Sequence, residues 1–519
     1  MKTIVYSALF VFIFCFSNTS ILNAQHDNSR DAVRHIADGK LNQVEKTLAG
    51  KKPYAGKAEA AYVELLSLLK QNEIKPAFDK AVEAVGLGLP FERLLAGPRE
   101  ELSKLHNFKR FQNWKADQNP SKLIHGPMVG NVTGSSASFW VRTDGEHKVR
   151  LIVGGGTAVA DEQVTRAETD FTAVLNVKNL SHETAYEYRL LIDGKSVAVG
   201  QFKTFSKTGK GSQFSVGFGG GAGYVDEWER MWDNILTFQP NAFLIMGDNI
   251  YIDQPESQLT QKYCYYRRQS RPEWRRFVAN TPIYSIWDDH DFGTNDCVPG
   301  PEIDKPAWKP EVWRTFTHNW VNPSYGGGAD QPGCWYDFHM GDVHFIMLDG
   351  RYYRDLKGGS MLGPVQKKWL LETLKKSEGT FKVLASPVPF TSGIKPGSRD
   401  PWDGFPKERE EIFSFIENEK IEGLFLIAAD RHRTDLRVTP RPNGYDLYEL
   451  ESSRLTNHHT HGVVKTEGMV WGYNKQCSFA LMKFDTTTND PQVDFQCIDI
   501  DGKVQESSIL KLSQLKYDR

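Results

Sequence analysis

Cysteine is scarce in this chain and arranged for none of its usual tasks. Of the 6 cysteines, Cys15 sits inside an apolar run at the amino terminus. That leaves Cys264, Cys297, Cys334, Cys477 and Cys497, an odd number that cannot all pair with one another. No CxxC pair exists, which excludes zinc-finger and thioredoxin-like readings. Charge of one sign is lacking too: 63 basic against 65 acidic residues leave a net charge of -2. That balance gives no electrostatic reason to expect nucleic acid or an anionic membrane as partner. Beyond the amino terminus no apolar run is long enough to span a bilayer. Internal repeats and low-complexity tracts are absent as well.

What is present begins with an export-type leader. Lys2 supplies a positive start, residues 4–16 are almost unbroken apolar sequence, and Leu22-Asn23-Ala24 places a small residue before a cleavage point. The reading is a signal peptide over 1–24 and an exported protein, periplasmic, cell-surface or secreted. The length of 519 residues predicts several domains. From 25 to 120 the apolar residues recur at helical spacing, as in Ala32, Ile36, Leu41, Val44 and Leu48. Nothing in that region suggests chemistry, and a packing role is expected. From 121 to 210 the period changes to two. Ala137, Phe139 and Val141 alternate with polar residues, as do Tyr186, Tyr188, Leu190 and Ile192 before an Asp193-Gly194 turn. This predicts a β-sandwich resembling a fibronectin type III module. From 211 to 519 apolar runs alternate with amphipathic helices and end in further strands, which predicts a layered α/β domain with a mixed sheet.

Three of those apolar runs share a design. Ala242-Phe243-Leu244-Ile245-Met246 leads into Gly247-Asp248-Asn249-Ile250-Tyr251. Ile283-Tyr284-Ser285-Ile286-Trp287 leads into Asp288-Asp289-His290-Asp291. Leu424-Phe425-Leu426-Ile427-Ala428-Ala429 leads into Asp430-Arg431-His432. Short continuous apolar runs predict strands buried on both faces, and ligands of open α/β sheets sit beyond the carboxyl ends of such strands. Carboxylates, a phenol and imidazoles are thus delivered to one edge. They suit hard or borderline metal ions, and these in turn suit phosphate-ester chemistry. Within the acidic cluster three carboxylates would repel one another without a cation among them. Asp289 is the natural ligand, which frees His290 to hydrogen-bond a phosphoryl or leaving-group oxygen. Arg267, Arg268, Arg351 and Arg354 accompany the clusters, and guanidinium groups bind phosphate bidentately. Arg351 follows another strand end at Leu348-Asp349-Gly350. His458, His459 and His461 are expected to lie on an exposed loop.

With these motifs in hand, the chain from about residue 121 resembles the alkaline phosphatase D (PhoD-like) family of metallophosphoesterases. The resemblance rests on His125-Gly126-Pro127-Met128-Val129-Gly130, Phe139-Trp140-Val141-Arg142-Thr143, the three acidic clusters, Leu348-Asp349-Gly350-Arg351-Tyr352-Tyr353-Arg354, and Pro401-Trp402-Asp403-Gly404-Phe405-Pro406. It implies a multidomain fold: an α/β metallophosphatase αββα sandwich, preceded by the fibronectin-III-like sandwich and a small all-α amino-terminal region. It implies two or more metal ions, iron and/or calcium. Asp248, Tyr251, Asp289, Asp430, His432 and Asn295 would hold them, His290 would act at the phosphoryl group, and Arg351 and Arg268 would bind substrate. The implied reaction is hydrolysis of phosphate monoesters or diesters by a metal-bridging hydroxide. One departure stands out. The family carries a Ser-Cys pair after the first strand, whereas this chain reads Gly219-Gly220-Gly221-Ala222-Gly223, with no ligating side chain. Backbone amides of a glycine-rich loop bind anions. A second expectation, from another class, is therefore a non-catalytic phosphate- or glycan-binding protein on a degenerate scaffold.

Overall fold

The computed structural model describes residues 27–50, 56–156 and 158–517. The leader expected over 1–24 lies outside the described residues. Among the described residues no helix is long and apolar enough to cross a membrane. All five described cysteines are free thiols, four of them buried.

Two large mixed sheets form the centre. In the nine-stranded sheet, Gln213–Gly219, Ala242–Met246 and Ile283–Ile286 run parallel. The antiparallel strands Ser478–Asp485, Gln492–Asp499 and Val504–Lys511 extend it on one side. In the seven-stranded sheet, Val343–Met347, Phe381–Ala385, Leu424–Ala428 and Leu447–Ser452 are parallel, with antiparallel strands at both margins. The parallel strands are buried at every position where the sequence is continuously apolar, as burial on both faces requires. An aromatic seam joins the sheets: Phe345, Phe381 and Phe425 meet Phe484, and Phe425 meets Phe495 at 5.3 Å between ring centres. Helices flank the pair. Trp232 on Arg230–Thr237 and Phe277 on Pro272–Asn280 pack ring to ring, and Phe277 also meets Phe243 in the first sheet. Beside the second sheet lie Gly363–Lys376 and Pro406–Asn418, burying Leu370, Leu374, Ile412 and Ile416.

The alternating region folds as a smaller sandwich. A five-stranded sheet that includes Lys148–Val153, Ala185–Ile192 and Lys195–Lys203 faces Leu123–Gly130, Ala137–Thr143 and Thr172–Val177. Phe139 packs on Tyr188 and Phe202 between them. The second of these layers is not free-standing. It continues the nine-stranded sheet through one parallel pairing, Gly130 with Ile283. A β-carbon on Gly130 would lie 2.6 Å from the carbonyl oxygen of Val321, so only glycine fits that junction.

The amino-terminal region is helical: Asn28–Ala37, Lys57–Lys70 and Ile74–Gly86 are its principal helices. Asp27 caps the first, its side chain accepting from the Arg30 amide at 3.0 Å. Ala32, Val33 and Ile36 bury the inner face of that helix, which packs against Gln258–Gln269.

Candidate metal centre

The three clusters converge from two sheets. Asp248 follows the strand Ala242–Met246 and Asp289 the strand Ile283–Ile286, while Asp430 and His432 follow Leu424–Ala428 on the facing sheet. Gly247, at φ 101°, lets the first two strand ends touch, since a β-carbon there would lie 2.8 Å from the Asp288 amide. The backbone around the centre is strained. Asp248, Tyr251, Asp253, Asp430 and His432 all occupy the left-handed region, with φ between 50° and 72°. Each such non-glycine residue costs about 1–3 kcal/mol, and clusters of them mark sites where side-chain direction matters more than stability.

Asp248, Tyr251 and His432 form a triangle. The Tyr251 hydroxyl lies 3.3 Å from Asp248 Oδ2 and 3.3 Å from His432 Nε2, and that nitrogen is 3.6 Å from Asp248 Oδ2. His432 Nδ1 lies 3.1 Å from the carbonyl oxygen of His459 and so must donate to it. This fixes the tautomer and leaves the Nε2 lone pair aimed at Asp248 and Tyr251. Burial, aided by His459 and His461, pushes His432 well below the usual histidine range, so it is a neutral imidazole. Asp248 Oδ1 is buried with no hydrogen-bond partner. One atom each of Asp248, Asp289 and His290 lie within 4.8 Å of one another. Burial pushes the Asp248 carboxyl well above its ordinary value; His290 opposes this, while Asp289, Asp288 and Asp291 add to it. An orphaned carboxylate oxygen, a crowd of acids and an oriented imidazole lone pair fit a bound cation.

A second acidic group, Asp289 with Asp296 and Asp400, also brings its oxygens within 4.8 Å. There the protein supplies the counter-charges. Lys395 reaches Asp296 at 2.8 Å and Asp400 at 3.1 Å, and Arg351 and Arg354 reach Asp400 at 2.6 and 2.5 Å. On the Asp248 side the counter-charge is His290, and Asp248 Oδ1 stays without a hydrogen-bond partner. Asp430 lies in the cavity wall with Arg431 at 3.2 Å, and Asn295 lines the same cavity from an exposed turn.

His290 faces this centre from the helix Asp289–Phe292. Its Nδ1 hydrogen-bonds Asp253, and its ring packs on Tyr251 at 4.9 Å. Burial alone would lower its pKa, but Asp253, Asp289 and Asp248 outweigh burial and hold it well above the usual range, so it is an imidazolium. Asp253 is itself held by Arg30 at 2.7 Å and Arg34 at 3.2 Å.

Several expectations need correction. Arg268 does not face the cavity. Its guanidinium is buried on Glu229 at 2.7 and 2.9 Å and on the carbonyls of Ala222 and Gly223. Arg351 is likewise fully buried, hydrogen-bonded to Asp288 and Asp400, with Nη2 3.8 Å from Asp289. It braces carboxylates and does not line the cavity. The helical segment is not merely packing, because Arg30 and Arg34 reach the cavity wall. Their only sequence signal was a pair of arginines four apart, one helical turn, on a capped helix. His459 and His461 also line the cavity, their Nε2 atoms 3.1 Å apart, and only His458 of that trio is exposed.

The glycine-rich loop is no anion nest. The amides of Gly220, Gly221 and Ala222 donate to the carbonyls of Ser452, Gly247 and Asp248, the first across to the facing sheet and the other two to the neighbouring strand end, so they are already spent. The space a cysteine would need is filled as well. A β-carbon on Gly220 would lie 2.8 Å from the Gly247 carbonyl oxygen, and one on Gly221 would lie 2.9 Å from the Arg454 amide. Gly220→Ala is therefore expected to lower the stability of the chain by about 1–3 kcal/mol through overpacking against backbone, read as a fall in the denaturant midpoint.

Facing mixed sheets with acids and imidazoles at their shared edge place the chain in the metallophosphatase class of folds. Residues 214–455 match the family described as PhoD-like phosphatase. Residues 120–209 match a family described as Domain of unknown function (DUF7800). The chain is similar to alkaline phosphatase D of Bacillus subtilis (strain 168), 23% identical over 341 residues that cover 56% of this chain and 58% of that protein. The match thus spans somewhat more than half the length of that relative. Among solved structures, PhoD superposes with a TM-score of 0.61 at 16% identity, covering 74% of this chain and 88% of that one. A purple acid phosphatase, PPD1 from yellow lupin (Lupinus luteus), does so with 0.56 at 12% identity, covering 75% of each. At such identities the structures share the fold. Residues 27–118 lie outside both family matches.

Proposed function

We propose that the chain is a metal-dependent phosphoric ester hydrolase. The observation that carries this reading is the buried Asp248, with one orphaned oxygen, beside Asp289, Tyr251 and the lone pair of a neutral His432. Asp248, Asp289, Tyr251 and His432 would hold metal, with Asp430 and Asn295 at the cavity side. Metal ions bound there would supply the positive charge that phosphoryl transfer needs and would activate water.

The remaining work falls to the protein's own groups. His290, kept protonated by Asp253 and the neighbouring acids, is placed to give its proton to the departing alkoxide oxygen. Asp253 fixes the ring through Nδ1, which leaves Nε2 as the atom that delivers the proton. Arg351 neutralises Asp288 and Asp400 behind the centre and so keeps Asp289 in place. Serine and cysteine need not act as nucleophiles. We further read the protein as exported, the region 120–209 as a fibronectin-III-like module, and iron and/or calcium as the metals. The non-catalytic alternative is weakened, because the amides of Gly220, Gly221 and Ala222 are already hydrogen-bonded.

The test is chelation followed by reconstitution with iron, calcium or both, with hydrolysis of 4-nitrophenyl phosphate and bis(4-nitrophenyl) phosphate as readout. Turnover should vanish on chelation and return with stoichiometric metal by elemental analysis. Absence of hydrolysis under every metal condition would sink the reading.

A further inference from the structure

The cavity beside the centre has a volume of about 430 Å³. That falls within the roughly 300–1,000 Å³ of sites that enclose whole organic ligands, far beyond a lone phosphoryl group. Besides His290, four cations line it: Arg30 and Arg34 from the helix Asn28–Ala37, Lys395 from the loop after Phe381–Ala385, and Arg431. They are not equally committed. Arg30 holds Asp253, and Lys395 bridges Asp296 and Asp400. Arg431 is only 5% exposed; its one side-chain hydrogen bond among the described residues runs from Nη1 to Asp430 at 3.2 Å, which leaves Nη2 uncommitted. Arg34 is committed through both Nη atoms, to Asp31, to the carbonyl of Ile252 and to Asp253 at 3.2 Å. The other cavity imidazoles do not take their place. Burial and Arg431 push His459 down to about 4 and His461 down to about 2, so both are neutral.

A guanidinium with an uncommitted Nη2, on the wall of a cavity larger than the reacting group, is arranged for an anion. We propose that Arg431, supported by the charges of Arg34 and Lys395, forms a second anion subsite that binds a carboxylate or phosphate carried on the alcohol side of the ester. The proposal rests on the phosphoesterase reading and narrows its substrate class to esters with at least one further negative group. Part of this selectivity comes from the amino-terminal helix, which neither family match covers.

The test is calorimetry on metal-reconstituted protein with non-hydrolysable probes: phenylphosphonate, its 3- and 4-carboxy derivatives, benzene-1,4-bisphosphonate, and the neutral 4-carbamoyl derivative. At least one carboxylated or doubly phosphonated probe should bind roughly tenfold or more tighter than phenylphosphonate, as one added charge-assisted contact gives. The carbamoyl probe should show no gain. The carboxylate and phosphonate arms then tell which anion the subsite prefers. In Arg431→Ala the preference should fall below about twofold, Arg431→Lys should keep part of it, and Arg34→Ala should reduce it. The proposal is overturned if the wild-type protein shows no preference. It is equally overturned if Arg431→Ala weakens phenylphosphonate as much as the dianionic probes, for then Arg431 serves the reacting phosphoryl group. Should Arg431→Ala fail to fold, the Lys and Arg34 variants decide by the same ratio. Loss of binding for every probe would instead count against the metal centre, and the subsite would fall with it.

Discussion

Asp289→Ala should reduce kcat/KM for aryl phosphates by about 10³-fold or more while leaving the fold intact. Asp289 is 2% exposed and accepts hydrogen bonds from the amides of His290 at 2.9 Å and Asp296 at 2.6 Å. Those two bonds aim the carboxylate at Asp248, within the group whose atoms lie inside 4.8 Å. Burial would raise its pKa, but Arg351 and His290 hold it below the ordinary carboxylate value, so it is charged. Removal of a group that merely positions a metal ligand costs roughly 10–100-fold in affinity or activity, and loss of a ligand must exceed that. Stability should fall only modestly, by about 1–3 kcal/mol, because the His290 and Asp296 amides lose their acceptor while repulsion among the acids is relieved. Paired measurements of bound metal, melting temperature and hydrolysis separate the two effects. Activity within a few-fold of wild type, with metal content unchanged, would remove Asp289 from the centre.

What could be read from the sequence was what is local along the chain. Each acidic cluster adjoins its own buried strand, so strand, turn and donor atoms lie within about ten residues, and the structure gathers Asp248, Tyr251, Asp289, Asp430 and His432 into one region. The mixed α/β layering followed from the same alternation of runs and helices. Arginines defeated this kind of reading, because their partners are distant in sequence. Arg268 answers to Glu229, and Arg351 to Asp288 and Asp400, and no spacing rule announces such pairs. Arg30 and Arg34 were missed for the same reason, since their partner Asp253 is more than two hundred residues away. The continuity between the small sandwich and the large sheet was equally hidden. It depends on the single pairing of Gly130 with Ile283, where the sequence shows only a glycine at a strand end. The glycine-rich loop looked like an anion cradle because composition reveals free conformations and not which carbonyls the amides have already taken.

These long-range pairs tie the amino-terminal helix to the candidate centre. Arg30 is 1% exposed and donates to Asp253 and to the carbonyl of Tyr251 at 2.9 Å, so it bears on both the partner of His290 and the backbone of a metal-side residue. Burial would raise the Asp253 pKa, but His290, Arg30 and Arg34 hold it well below the usual range. The sign of the linkage follows. A carboxylate depressed in the folded state contributes stability that is complete above its unfolded pKa near 4 and is lost as pH falls through the folded value. At neutral pH Asp253 is therefore ionised and holds both Arg30 and the Nδ1 of His290.

His290→Ala is accordingly expected to lower kcat by about 10²–10⁴-fold, the range for loss of a positioned general acid. The loss should depend on the leaving group. 4-Nitrophenolate departs with little protonation, so its esters should suffer least, whereas an alkyl phosphate, whose alkoxide needs a proton, should suffer most. Asp253→Asn should show the same dependence in weaker form, because asparagine can still hydrogen-bond Nδ1 but no longer supports the imidazolium. KM should move less than kcat in both variants, since a proton given to the departing oxygen acts in the transition state and not in the bound substrate. The measurement is a series of alkyl and aryl phosphates of graded leaving-group pKa, assayed with wild type and both variants at saturating metal. A uniform loss across the series would assign His290 to holding the phosphoryl group. A loss that steepens with leaving-group pKa would establish it as the acid, held in that role by an arginine from a helix outside both family matches.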